Sequence, residues 1–312
     1  MMSDLILHHY PNSPFAEKIR AVLGYKQLAW QGVHIPMMMP KPDVVALTGG
    51  HRRTPLLQRG ADVFCDTAII CEEIDHLQPE PTLYPKGLEG LTRIVAQWAD
   101  DLVFGPAMAY NFQPAGAAEM FAGADPEWVK AFVEDRKAMR GGAPRMLPAD
   151  ATPTYQSYLR RLSSQLESHP FVLGEQPSLA DFAAYHPVWF TMFRTPSLAG
   201  LLDATPRVRE WAQRMADFGN GQETRIESSQ ALDIARQSQP RDLSGEAFVD
   251  HHGIARGETV SIKAVSFGLE VSVGELVAAT KTRYVIRHTD ERAGTVQVHF
   301  PRVGFVMSRE AS

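Results

Sequence analysis

Cysteine is scarce in this chain: Cys65 and Cys71 are its only two in 312 residues. That excludes a disulfide-stapled secreted scaffold. The pair lies too close together on one strand-to-helix stretch to bridge, and reads as two buried thiols in a reducing compartment. Long apolar runs are missing too, and none approaches the roughly 20 residues that span a bilayer. The N-terminus lacks a basic start followed by an apolar core, so no secretion signal is expected and the cytoplasm is the expected location. Nor is there an excess of positive charge. A net charge of −5 and a pI near 6.1 give no electrostatic reason for a nucleic-acid or membrane partner. Gly49-Gly50 precedes a basic trio but no GKS/T loop, which argues against nucleotide binding. His8 and His9 are strand neighbours and point to opposite faces, so they cannot share one metal. His251 and His252 lack a third ligand at recognisable spacing. No metal is expected, and no Ser-His-Asp signature is present.

What is there is a chain long enough for two or three domains with their own cores, 44% of it hydrophobic. Residues 4 to 80 alternate between strands and helices. Leu5–His8 and Trp30–Ile35 read as strands, Thr54–Gln58 and Asp62–Phe64 as a hairpin around Arg59-Gly60. Pro14–Gly24 reads as a helix with Phe15, Ile19, Val22 and Leu23 on one face, and Asp66–Leu77 as another. The order β-α-β-α-β-β-α implies a thioredoxin-like α/β domain over 1–80. Residues 88–218 are helical, with expected helices at Leu91–Phe104, Pro126–Met139, Pro153–Leu166, Leu179–Phe190 and Pro206–Phe218. Pro187 predicts a kink near the end of its helix. Ser178 and Asp181 have the spacing of a capping box. A polar stretch, 219–246, reads as a linker with a helix at Ser228–Gln237. Alternating runs at Thr259–Ala264, Leu269–Val273, Tyr284–Arg287 and Thr295–Phe300 then predict a small all-β domain over 247–312, an antiparallel barrel or meander. Acids and bases nearly balance in this last region, so it is no basic platform.

The most informative stretch is Asn12-Ser13-Pro14-Phe15. Proline suits the first position of a helix, which makes Ser13 its cap, with a hydroxyl beside unpaired backbone N–H groups. A negative atom can be held there. Together with His51-Arg52-Arg53-Thr54-Pro55, Phe64-Cys65-Asp66-Thr67 and the distant Phe171–Gly174 and Pro177–Asp181, this resembles the cytosolic glutathione S-transferases, most of all the tau and omega classes. The resemblance covers roughly residues 4 to 218, the thioredoxin-like and the all-α part.

The resemblance implies glutathione as cosubstrate. A free thiol titrates near 8.5, and only the thiolate attacks. Ionisation at pH 7 needs a shift of about 2 units, or roughly 2.7 kcal/mol. A hydroxyl donating to a charged acceptor supplies about 1.5–3 kcal/mol, and a helix N-terminus adds to it. Ser13 is therefore the candidate catalytic residue. Omega members carry a cysteine here, so disulfide exchange through residue 13 is excluded. Phe15, Arg53, Thr54, Pro55, Asp66 and Thr67 are the implied glutathione-binding residues. Thr54-Pro55 matches the cis-proline turn that docks the cysteinyl backbone, although the family usually has an apolar residue where Thr54 stands. Asp66-Thr67 replaces a Glu-Ser pair at the γ-glutamyl end, and Arg53 replaces a Lys that reaches the glycyl carboxylate. Lys41 is a second candidate for that role. Tyr10, Trp98, Asp101, Phe104 and Met108 are the expected second-substrate pocket, Tyr10 being also an alternative thiolate donor. Met37–Met39 is a candidate pliable lip.

The expected function is transfer of the glutathione thiolate to an electrophilic carbon of an apolar substrate, a detoxification-type reaction. The expected assembly is a homodimer. The alternative is a non-catalytic binding or scaffolding module whose β-domain recognises a partner. Isomerase and dehalogenase chemistry are not separable from transfer at this stage.

Overall fold

The four N-terminal strands carry apolar residues on both faces and so demand cover on both sides. In the computed structural model, which describes residues 4–310, they receive it. β1 (Ile6–His9), α1 (Pro14–Tyr25), β2 (Ala29–His34), α2 (Pro42–Thr48), β3 (Leu56–Arg59), β4 (Asp62–Cys65) and α3 (Thr67–Leu77) follow the expected order. β1 runs parallel to β2 and antiparallel to β3, and β3 is antiparallel to β4. Leu5, Leu7, Leu57 and Phe64 turn toward Ile19, Val22 and Leu23 of α1 and Ile70 and Ile74 of α3. Ile6, Leu56, Val63 and Cys65 turn the other way, with Val44 and Leu47 of α2. Both cysteines are buried free thiols.

Seven helices follow: α4 (Glu89–Trp98), α5 (Phe104–Asn111), α6 (Pro114–Met120), α7 (Pro126–Met139), α8 (Pro148–Gln165), α9 (Leu179–Trp189) and α10 (Pro206–Ala216). The single helix expected over Leu91–Phe104 is interrupted by a π-helical turn at Ala99–Val103. Such a turn inserts one residue into the helical ladder. Here it sends Asp100 toward α1 and leaves Asp101 exposed. Pro187 lies one turn before α9 gives way to a second π-turn, Phe190–Arg194. Its carbonyl accepts from the Tyr155 and Thr191 hydroxyls. Asp181 returns its bond to the Ser178 N–H at 2.9 Å, as the spacing predicts. Asp181 also accepts from Val172 N and Trp211 Nε1, tying α9 to α10.

The remaining third does not stand apart from the N-terminal sheet. Residues 219–246, expected as a linker, contribute β5 (Gln222–Arg225), parallel to β2, and α11 (Ser228–Gln237), whose Ala231, Leu232 and Ala235 share the α2 side of the core. After them come β6 (Thr259–Ala264), β7 (Ser272–Ala279), β8 (Arg283–Asp290), β9 (Gly294–Pro301) and β10 (Phe305–Arg309). β6 to β9 form the meander, open and not closed into a barrel, and β10 returns beside β6. β9 then pairs parallel with β4, giving one ten-stranded sheet in the order β10-β6-β7-β8-β9-β4-β3-β1-β2-β5. Without β9, β4 would be an edge with unpaired N–H and C=O groups. Val296, Val298 and Phe300 extend the apolar face begun by Val63 and Cys65. The join is pinned by His299, whose Nε2 lies 2.7 Å from Asp62 Oδ1 and whose ring stacks on Phe64 at 4.4 Å. Arg241 reaches Asp62 and Glu73 beside it.

Candidate functional site

The end of β1, the start of β3 and the end of β4 lie side by side. Extending the β1–β3 register past His8↔Leu56 sets Tyr10 opposite Thr54, and the β3–β4 register sets Asp66 beside Pro55. Ser13 follows one turn after Tyr10, its N–H donating to the Tyr10 carbonyl at 3.1 Å. Pro14 opens α1, and Ser13 Oγ accepts from the Ala16 N–H at 3.1 Å. A hydroxyl that accepts one bond keeps its own proton to donate. The cap and a thiolate donor are therefore compatible roles for one oxygen, although Ser13 is only 2% exposed.

The Thr54–Pro55 bond is cis. The Thr54 hydroxyl, absent from an apolar residue, accepts from Lys41 Nζ at 3.2 Å, and Lys41 donates also to the Arg52 carbonyl at 3.2 Å. Lys41 is 3% exposed, beside the Tyr10 ring. Burial, then the Arg136 and Arg52 charges, push its pKa down to about 7. Asp66 caps α3 from a left-handed backbone (φ 97°), with Oδ1 accepting from the Ala68 N–H at 2.9 Å. Arg53 Nη1 lies 3.9 Å from Asp66 Oδ2.

Thr67 is engaged from within the protein. Its hydroxyl accepts from Lys18 Nζ at 3.1 Å, and Lys18 also pairs with Asp100 Oδ2 at 2.6 Å. Asp100 Oδ1 lies 3.0 Å from His186 Nε2 on α9. Burial works against the Lys18 charge, but Asp100, with Cys71 and Asp66, outweighs it and the pKa is raised. Burial works likewise against Asp100, yet Lys18 and His186 hold its carboxyl below the usual range. Burial keeps His186 low despite Asp100. Sequence reading missed this trio, but one signal was there. Lys18 interrupts the apolar stripe Phe15, Ile19, Val22 at helical spacing, and a charge in that stripe needs a buried partner.

The expected pocket residues divide. Phe15 and Phe104 meet with ring centroids 4.6 Å apart, each against the His186 ring. Asp101 is exposed and near enough to Arg53 to raise its pKa against burial, the larger effect. Trp98 goes elsewhere, edge-on to Tyr158 at 5.5 Å, and Met108 packs on the same helical core. The Tyr10 hydroxyl is 3.5 Å from Arg136 Nη2, and Arg136 also donates to the Met37 carbonyl at 2.7 Å, so the Met37–Met39 lip is held by α7.

One trio among the described residues brings metal-ligand atoms within 4.8 Å of one another: His9, His34 and Glu223. His9 Nδ1 lies 3.1 Å from Arg20 Nη1. Arginine only donates, so Nδ1 accepts and the proton of neutral His9 sits on Nε2, 3.5 Å from Glu223 Oε1. Burial, then Arg20, push His9 down to about 3. A cation would have to strip that proton while facing Arg20, so the trio fits a metal poorly.

Two family models match the chain. Residues 7–82 match the glutathione S-transferase N-terminal domain, and residues 126–214 the C-terminal domain. A solved GST-like protein from Pseudomonas syringae is 38% identical over 99% of this chain and 100% of its own, with a TM-score of 0.80. The chain belongs to the glutathione S-transferase family. The transferase fold also recurs in the β-etherase LigF from Sphingobium sp. strain SYK-6 (18% identity, 69% of this chain and 95% of that one, TM-score 0.52). A glutathione S-transferase from Rhodospirillum rubrum F11 is similar at 17% identity over 68% and 87%, TM-score 0.50. About a third of the present transferase-family chain lies outside these last two likenesses, whereas the Pseudomonas syringae protein spans it all. No curated protein sequence matches the chain. Among the described residues no helix is long and apolar enough to cross a membrane.

Proposed function

We propose that the protein binds glutathione at the shared end of β1, β3 and β4 and presents its thiolate to an electrophilic carbon of an apolar substrate. The observation that carries this reading is Ser13. It caps α1 through an oxygen lone pair, keeps its hydroxyl proton, and sits at a helix start whose dipole favours a negative atom. Thr54 and Pro55 would dock the cysteinyl backbone, Asp66 and the start of α3 the γ-glutamyl end, and Arg53 the glycyl carboxylate. Thr67, already bonded to Lys18, would orient that end through its backbone and a shared hydroxyl. Phe15, Phe104 and the Tyr10 ring would bound the apolar substrate. Exposed Leu91 and Ile94 on α4 support a homodimer, which light scattering tests.

The deciding experiment follows the ultraviolet absorbance of the thiolate when glutathione is bound at pH 7. Wild type should develop it and Ser13→Ala should lose it while keeping the fold. Equal absorbance in both removes Ser13 from the mechanism. A binding module without turnover is the second reading, favoured by the near-complete burial of Ser13. Retention on immobilised glutathione with no conjugation of any electrophile would establish it.

A further inference from the structure

The Ser13 hydroxyl is only as well placed as the turn before it. Residues 10–12 join β1 to α1, and Pro11 has no N–H with which to tie that turn down. The Ser13 N–H donates to the Tyr10 carbonyl at 3.1 Å, and the Pro11 carbonyl accepts from Arg20 Nη2 at 3.0 Å. Arg20 lies about two turns into α1, and a helical side chain leans toward the N-terminus, so its guanidinium returns to the turn.

That guanidinium faces inward. Nε and Nη2 donate to Glu17 Oε2 at 3.1 and 2.7 Å, and Nη1 donates to His9 Nδ1 at 3.1 Å. All three residues are buried. The Glu17 N–H donates to the Ser13 carbonyl at 3.0 Å, so the acid that grips Arg20 is itself one turn from the serine. A lysine would carry the same charge. Only the forked guanidinium reaches a carboxylate, an imidazole and a carbonyl together.

Two residues past the helical domain flank the cluster. Asn220 Nδ2 donates to the other Glu17 oxygen, Oε1, at 3.4 Å, while the Asn220 carbonyl accepts from Trp30 Nε1 at 2.8 Å. Glu223 of β5 sets Oε1 3.5 Å from His9 Nε2. It lies over Gly32, where a Cβ would come within 2.0 Å of that oxygen. Both residues lie beyond 214, where the match to the C-terminal family domain ends.

We infer that Arg20 is a positioning residue for the Ser13 hydroxyl: gripped by Glu17 and His9, it fixes the Pro11 carbonyl and with it the turn that sets the serine oxygen at the head of α1, and the chain after α10 braces the grip through Asn220 and Glu223. This rests on the reading of Ser13 as the thiolate donor. Arg20 acts only through the turn, and its burial keeps it from the ligand.

The test is an ultraviolet pH titration of the thiol of bound glutathione in the full-length protein. Calorimetric binding of S-methylglutathione, which has no thiol proton to lose, runs beside it. Arg20→Lys should raise the apparent thiol pKa by about half a unit or more, roughly a threefold fall in the thiolate-to-thiol ratio. Its affinity for S-methylglutathione should stay as in wild type. Glu17→Gln keeps the shape but loosens the grip on Arg20, and should shift the thiol the same way. Circular dichroism checks folding, and Glu17→Gln decides the matter if Arg20→Lys does not fold. An unchanged thiol pKa in the folded variant, or an equal loss of affinity for both ligands without a pKa shift, overturns the positioning role and leaves the Ser13 reading intact. A wild type that develops no thiolate overturns both.

Discussion

The Lys18 ammonium lies 2.6 Å from an Asp100 carboxylate oxygen and 3.1 Å from the Thr67 hydroxyl, so one fully buried cation joins α1, the start of α3 and the π-turn after α4. It fastens the thioredoxin-like layer to the helical one directly beside the proposed site. It also explains why the π-turn is there: the extra residue carries Asp100 inward.

Asp100→Ala should destabilise the protein by about 3–5 kcal/mol, because it strands a buried charge. The double variant Lys18→Met/Asp100→Leu should recover most of that loss, since apolar groups of similar volume replace the pair. Denaturant midpoints check both. A single variant as stable as wild type would mean that the pair is solvated.

Lys41 gives a pH signature. Its folded pKa of about 7 lies below the ordinary 10.5. Between those values the unfolded chain binds a proton that the folded chain does not. The penalty is therefore full below pH 7 and is relieved as pH rises toward 10.5. Arg52, Arg136 and Tyr10 face the amine, with Asp135 and Glu270 further off as opposing charges. Relative to Lys41→Met, wild type should gain about 1.4 kcal/mol per pH unit between pH 7.5 and 9. Parallel stability profiles would show that Lys41 stays charged.

The seam between β4 and β9 should depend on Asp62. His299 and Arg241 hold its carboxyl below the usual range although burial opposes them. Its contribution is thus present above the ordinary carboxylate pKa and disappears as pH falls through the folded value. Asp62→Ala should cost about 1.5–3 kcal/mol at pH 7 and speed amide exchange in β9. The difference from wild type should shrink below about pH 4. Unaltered exchange in β9 would mean that strand pairing alone holds the seam.

Gly24 marks a close approach. A Cβ there would lie 2.0 Å from the Gly219 carbonyl oxygen, which is backbone and cannot swing aside. Gly24→Ala should cost about 1–3 kcal/mol as α1 is forced away from the chain after α10. Thermal melts check this, and an unshifted midpoint would show that the contact can relax.

Much of this was legible in residue order. The family resemblance implied the cis turn at Thr54-Pro55, while Ser13-Pro14 announced a capped helix and Ser178–Asp181 a capping box; the structure has all three. Each depends on neighbours within a few positions. Thr54 departs from the apolar residue usual in the family, and only the tertiary structure shows that its hydroxyl meets Lys41. Trp98 looked like a cleft residue because helical spacing tells which residues share a face, not which neighbour that face meets. That the stretch 219–246 and the C-terminal β-strands join the N-terminal sheet was hidden for a similar reason. Alternation marks β9 as a strand, but a strand edge will accept any partner of compatible twist and register.

Local chemistry alone, then, determined most of the N-terminal strands and helices, the serine at the start of α1 and the family they spell. Only the tertiary structure decided that β9 closes the β4 edge, that Lys18 finds Asp100, and that a loop from the far end of the chain lies on Arg53. Those contacts join residues tens to hundreds of positions apart. Their partners are chosen by which buried polar groups and unpaired backbone edges remain to be satisfied once the core has closed.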